Sequence, residues 1–174
     1  VAAMEKGRSF IHGRELFRTA SCVACHKLGD EGNDFGPELA KLSADMTAVE
    51  ITRHILEPSL KIDEKYRSNT ILTDDGRAFT GLVVEETPSE IALVENPLAM
   101  AEPVRIKKSA IDERSLAAVS IMPKGLLDRL TRDEVLDLIA YVAARGNEGS
   151  HLFSPDGCPH HTNALHAAGS NESN

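Results

Sequence analysis

With 174 residues, 41% hydrophobic and 26% charged, the chain has the make-up of one globular domain or two small ones, which excludes wholesale disorder. Nineteen basic against 27 acidic residues give a net charge of −8 with no Lys/Arg-rich run, so neither nucleic acid nor an anionic membrane surface is an expected partner. No stretch approaches roughly 18 consecutive apolar residues, so no membrane span is expected.

The charge is unevenly spread. Residues 1–62 and 114–146 together are neutral, whereas residues 63–113 carry −5 and residues 147–174 carry −3. This pattern suggests that the first and third segments form one unit and that the acidic middle is inserted into it. Five Phe, two Tyr and no Trp are few flat rings for a core of this size, a hint that another flat group fills it. No signal peptide is evident and Val1 is not an initiator Met, so the chain reads as a processed product or an excised domain.

In chain order, a helix is expected over residues 7–19, with Phe10, Gly13, Leu16 and Phe17 on one face. A second is expected over residues 47–57. Thr47 and Glu50 make a capping box, Ala48, Ile51, Ile55 and Leu56 form a stripe, and Pro58 ends the helix. The period then changes. Residues 66–73, 78–85, 90–94 and 104–107 are short and rich in Val, Ile, Leu and Thr, and predict an antiparallel β-meander or small barrel of about four or five strands. Asp74–Asp75–Gly76 and Thr87–Pro88–Ser89 mark its first two turns. The loop over 96–103, with two prolines, should be irregular. A short helix is expected over 125–130. Thr131 and Glu134 repeat the capping box, Val135, Leu138, Ile139 and Val142 follow at helical spacing, and Gly146 suits the position just past the end. From Asn147 onward periodicity is lost. The expected class is therefore mainly α: a helical domain from residues 5–63 plus 114–146, an inserted β subdomain over 64–113, and an extended C-terminal tail over 147–174.

The chemistry begins at Cys22–Val23–Ala24–Cys25–His26. C-x-x-C-H is the attachment sequence of c-type haem: two thiols add across the haem vinyl groups, and the histidine that follows becomes the proximal iron ligand. A zinc half-site or a redox CxxC are the other readings. Zinc would need a second Cys/His pair in the folded core, and only Cys158 remains, in the tail. A thioredoxin-like site needs a βαβ context, whereas this motif follows a predicted helix. The context favours one haem c per chain.

Gly13–Arg14–Glu15–Leu16–Phe17 with Cys22, Cys25 and His26 resembles the first helix and attachment motif of class I cytochromes c. Gly36–Pro37 resembles the segment in which a proline carbonyl accepts a hydrogen bond from the proximal histidine. That resemblance implies that Pro37 fixes the tautomer of His26 and raises its basicity toward iron, although Gly36–Pro37 also reads simply as a turn. Ile121–Met122–Pro123, ahead of a last helix containing Tyr141, resembles the ligand loop, which implies Met122 as the sixth iron ligand. Met4, Met46 and Met100 read as packed or solvated, and His12 and His54 as solvated or hydrogen-bonded surface residues. Bis-His ligation is the rival. His26 and Met122 lie 96 residues apart, long for a compact ligand loop; removing residues 64–113 leaves an ordinary 46.

Ile55–Leu56–Glu57–Pro58, Asp75–Gly76–Arg77, Thr80–Gly81–Leu82–Val83–Val84–Glu85, Met122–Pro123–Lys124–Gly125–Leu126 and Asp137–Leu138–Ile139–Ala140–Tyr141 extend the resemblance to a planctomycete and verrucomicrobial haem-binding domain, a variant class I cytochrome c. The likeness covers residues 12–145. It implies electron transfer out of a redox partner, a dehydrogenase-like module of the same parent polypeptide included. The β segment resembles SH3-like or Sm-like barrels, and reads either as a docking or self-association element or as a cover over the haem edge.

Two function classes follow. One is an electron carrier, not an enzyme, with iron held by His26 and Met122. The other is a haem enzyme or gas/redox sensor with a labile or bis-His sixth site. No evident acid–base pair accompanies the ligand loop, which favours the carrier. Haem attachment to this motif needs export machinery in bacteria, so the expected compartment is the periplasm or the cell exterior, where Cys158 could oxidise. Cys158, His160, His161 and His166 read either as a soft-metal site or as an arm whose odd cysteine is free or joins a homodimer, the arm being preferred.

Overall fold

The computed structural model describes residues 7–99 and 101–154. Three α-helices begin where the sequence supplies a side chain for their first free N–H groups. α1 (Phe10–Thr19) starts at Ser9, whose Oγ accepts from the His12 N–H at 3.2 Å. α2 (Ala48–Leu56) and α3 (Arg132–Ala143) start at Thr47 and Thr131 with complete capping boxes. In each, the threonine hydroxyl accepts from the glutamate N–H three residues on. That glutamate, Glu50 or Glu134, accepts in return from the threonine N–H, at 2.8 and 2.7 Å.

The helices pack through small and apolar positions. A Cβ on Gly13 would collide with the Asp137 carbonyl and Tyr141 Cβ, so α1 and α3 meet backbone against backbone there. Leu16, Phe17, Leu138, Ile139, Tyr141 and Val142 are buried around the crossing, joined by Ile51 of α2 and by Leu28 and Leu127 from loops. Phe10 stands edge-on to Tyr141 at 5.3 Å between ring centres. Asp137, buried at the same crossing, accepts from the Ser9 N–H at 3.2 Å and lies 2.9 Å from His12 Nδ1.

The middle of the chain builds a five-stranded antiparallel sheet in the order β4-β3-β2-β1-β5. Its strands are β1 (Asn69–Thr73), β2 (Ala78–Glu86), β3 (Glu90–Val94), β4 (Val104–Lys107) and β5 (Ile111–Leu116). β2 serves two neighbours: residues 78–81 pair with β1 and residues 82–86 with β3. The division falls at Gly81, where a Cβ would collide with the Val94 carbonyl and the Leu93 side chain. Ile71, Ile91, Leu93 and Ile106 form a second buried cluster that shares no residue with the helical one. The two ends of the sheet segment meet, with Asn69 opposite Leu116 and the Ala117 N–H donating to the Ser68 carbonyl at 2.8 Å.

A mainly α class does not hold. Among the described residues 33% are helical and 21% strand, with three α-helices beside the five-stranded sheet. Two local differences contribute. β5 is polar and exposed along Asp112–Leu116, so it carries no buried stripe to announce it. Residues 125–130 form turns rather than a helix, closed by Asp128 N–H to the Gly125 carbonyl (3.1 Å) and Leu130 N–H to the Leu127 carbonyl (3.0 Å). Gly125 stands at φ +79°, outside helical space. Past α3 the chain folds back on α1: the Arg8 N–H donates to the Leu152 carbonyl at 2.8 Å and Phe153 lies edge-on to Phe10. The proposed tail ligands Cys158, His160, His161 and His166, and also Met4 and Met100, lie outside the described residues. Among the described residues no helix is long and apolar enough to cross a membrane.

Candidate haem-attachment site

α1 ends at Ala20, and Ser21 turns the chain through a left-handed conformation at φ 63°. The next residues coil tightly. The N–H groups of Cys25 (3.1 Å) and His26 (2.9 Å) both donate to the Cys22 carbonyl, so the five-residue motif is a single closed turn at the foot of α1. Neither Cys22 nor Cys25 is in a disulfide. Cys22 packs against the helical core, and burial pushes its thiol up to about 11; burial raises Cys25 as well. Both are therefore neutral thiols at neutral pH.

The loop that follows returns to the motif. The Gly36 N–H donates to the Cys25 carbonyl at 2.7 Å, Asn33 Nδ2 to the Ala24 carbonyl at 3.2 Å, and the Leu39 N–H to the Lys27 carbonyl at 2.8 Å. Arg14 and Arg18 of α1 reach across to Glu31 in the same loop, Arg18 Nε at 2.5 Å. The Arg18 bond, followed by that of Arg14, holds the Glu31 carboxyl below the usual carboxylate range.

This return brings Pro37 to His26. His26 Nδ1–H donates to the Pro37 carbonyl at 2.8 Å. Because a carbonyl can only accept, the proton sits on Nδ1 and Nε2 keeps its lone pair. Burial lowers the His26 pKa, against the opposing effect of the Pro37 bond, so the ring stays neutral at neutral pH. Gly36 lies flat against the imidazole: a Cβ there would fall 2.7 Å from Cε1 and 2.9 Å from Nδ1. Two thiols, a neutral imidazole with Nε2 free, and a glycine that leaves the ring face uncrowded form a donor set that fits c-type haem. Among the described residues no three His, Cys, Asp or Glu side chains gather as a metal cluster, whereas a closed zinc site takes four ligands.

Met122 reaches the helical unit by a different route. It is half-buried in the loop between β5 and α3. Its N–H donates to Ser120 Oγ at 3.2 Å, and the Ser120 N–H donates to Ser59 Oγ at 3.0 Å, just past the end of α2. His54 is half-buried on α2, His12 is paired with Asp137, and Met46 packs against the helical core. The parts that sequence reasoning missed are the Gly36 cradle, the Asn33 tie and the two serines. Each acts through a contact between residues distant along the chain or through a missing Cβ, and no local pattern marks them.

Residues 10–77 match the family model for cytochrome c, from the start of α1 through the Cys22–His26 turn and α2 to the turn after β1. No curated protein matches the chain. The family's general role is electron transfer rather than bond chemistry. A cytochrome c domain is thus present, its cofactor is haem c with iron, and a haem-binding electron-transfer role goes with it.

Proposed function

We propose that the chain is a single-haem electron carrier in which Cys22 and Cys25 hold haem c by thioether bonds and His26 and Met122 ligate the iron. The observation that carries this reading is the His26–Pro37 bond. It commits Nδ1–H to a carbonyl and leaves Nε2 as the ring's free lone pair, beside two free thiols in one closed turn. When bound, haem c supplies one-electron exchange between ferric and ferrous iron.

The chain's own residues orient and tune that exchange. Cys22 and Cys25 would hold the haem through thioether bonds, S–H addition across a vinyl group being balanced without an oxidant. Pro37 holds the His26 tautomer and strengthens its donor nitrogen. The thioether of Met122 would supply a soft ligand that favours ferrous iron. We read residues 64–113, whose strand pairing runs on to Leu116, as an insert in the haem domain. The meeting of its ends at Ser68 and Ala117 supports this. Because haem attachment to this motif needs export machinery in bacteria, we read the periplasm or the cell exterior as the compartment, with an exported dehydrogenase, separate or in the same polypeptide, as electron donor.

Acid–acetone extraction of the haem-loaded chain tests attachment: colour should stay on the protein, with its mass raised by one haem. Met122→Ala should convert a low-spin ferric spectrum to a high-spin or water- or His-ligated one and lower the potential. Colour passing wholly into the solvent rejects covalent attachment. An unchanged spectrum and potential in Met122→Ala transfers the sixth position to another residue, with His54 tested first.

A further inference from the structure

The geometry points to Ser59 and Ser120 as positioning residues that hold the backbone of Met122 against the helical unit. The inference rests on the reading of Met122 as the sixth ligand. Two hydrogen bonds in series make the link: Met122 N–H to Ser120 Oγ at 3.2 Å, then Ser120 N–H to Ser59 Oγ at 3.0 Å. The second spans 61 residues of sequence, so it joins the two sides of the whole β unit.

Both ends of this link are fixed. Ser59 follows Pro58, which is buried and has its φ set by its ring, and the turn there is closed by the Leu60 N–H on the Glu57 carbonyl at 2.9 Å. α2, which leads into that turn, buries Ile51 in the helical core. On the other side, the Ala117 N–H bond to Ser68 pins the root of the sheet only three residues before Ser120. The loop is therefore held at Ala117, at Ser120 and at Met122. Of the three ties, Ser59 supplies the one that reaches the helical unit. A thioether ligand stays bound only while its backbone is held at the right place, because the sulfur–iron bond competes with water and with added ligands. Losing either serine hydroxyl frees the loop without touching the donor atom.

The test uses the haem-loaded chain with four variants: Ser59→Ala, Ser120→Ala, Ser59→Thr and Met122→Ala. The readouts are carbon monoxide capture by ferrous haem, the weak long-wavelength band of the ferric iron–thioether bond, the midpoint potential, and amide hydrogen exchange at Ser120 and Met122. Each Ser→Ala change should speed carbon monoxide capture about fivefold, the effect of one lost hydrogen bond on the loop-open population. It should also weaken the band and lower the potential. Ser59→Ala should speed exchange at the Ser120 amide, and Ser120→Ala at the Met122 amide. Ser59→Thr, which keeps a hydroxyl, should recover native values. Native capture rate and potential in both Ser→Ala variants, with Met122→Ala fast, would overturn the positioning role and leave the ligand standing. An unaltered spectrum in Met122→Ala would remove the ligand and this role together. Should Ser59→Ala fail to load haem, Ser120→Ala and Ser59→Thr decide by the same readouts.

Discussion

The helical unit and the sheet each bury an apolar cluster, but they differ in what else they carry. Around Phe17 and Leu138 the helical unit gathers aromatic pairs, a buried carboxylate at Asp137, and the turn of two thiols and an imidazole. The sheet closes over Ile71, Ile91, Leu93 and Ile106, and residues 64–116 contain no Cys and no His. The cysteine and histidine part of a haem donor set therefore rests on the helical unit. The family match begins at α1 and runs to Arg77, so it takes in β1 and the turn after it and does not reach Met122 or α3.

The largest effect that could break this division comes from two leucines of equal burial. Leu138 and Leu93 are both 0% exposed, one in each cluster. Replacing either by Ala should cost about 2–5 kcal/mol, the transfer and cavity cost of a buried leucine. The consequences should diverge. Leu138→Ala loosens the α1–α3 crossing above the attachment turn, so denaturation should release the haem spectrum at a lower midpoint. Leu93→Ala should shift the sheet's transition and leave the haem spectrum native until higher denaturant. One shared transition in both variants, followed by circular dichroism and haem absorbance, would join the two clusters into a single cooperative unit.

A smaller effect is expected from removing the sheet altogether. Ser68 and Ala117 are already hydrogen-bonded, so replacing residues 69–116 by a short Gly/Ser linker closes a modest loop at little entropic cost. The shortened chain should take up haem and keep a six-coordinate spectrum, with only slightly faster carbon monoxide capture. Failure to take up haem across several linker lengths would make the sheet part of the haem core.

Legibility in the sequence follows the range of the interactions. Thr47 with Glu50 and Thr131 with Glu134 are three residues apart, and both helices start where those pairs predict. β1 and β3 were readable because their Ile, Leu and Val side chains report burial directly. β5 was not, since Asp112, Glu113 and Arg114 are strand residues only through pairing with β1. Residues 125–130, expected as a helix, close instead in three-residue hydrogen-bonded turns, with Gly125 in the left-handed region. The attachment turn was legible as a motif, but the Gly36 cradle and the Ser59–Ser120 bond join distant segments and leave no pattern.

The smallest expected effect is electrostatic and confined to the sheet. Glu86 at the end of β2 lies 2.7 Å from Lys108 Nζ and 3.1 Å from Arg114 Nη1. Arg114 is itself oriented by Nε on Asn69 Oδ1 at 2.8 Å. The Lys108 bond, then that of Arg114, holds the Glu86 carboxyl down at about 2. A folded value below the unfolded one, about 4.3, stabilises the sheet above the unfolded value, and that contribution is lost as pH falls through the folded one. Solvent reaches the pair and screens it, so the effect is modest and salt-sensitive. Glu86→Gln should therefore lower the sheet's midpoint slightly at neutral pH and low salt. The difference from the native chain should shrink below pH about 4 and vanish only below pH about 2, as native Glu86 itself becomes neutral, while the haem spectra of the two chains match at each pH. A gap that persists at low pH and high salt would assign the stabilisation to packing of the Glu86 stem instead of its charge.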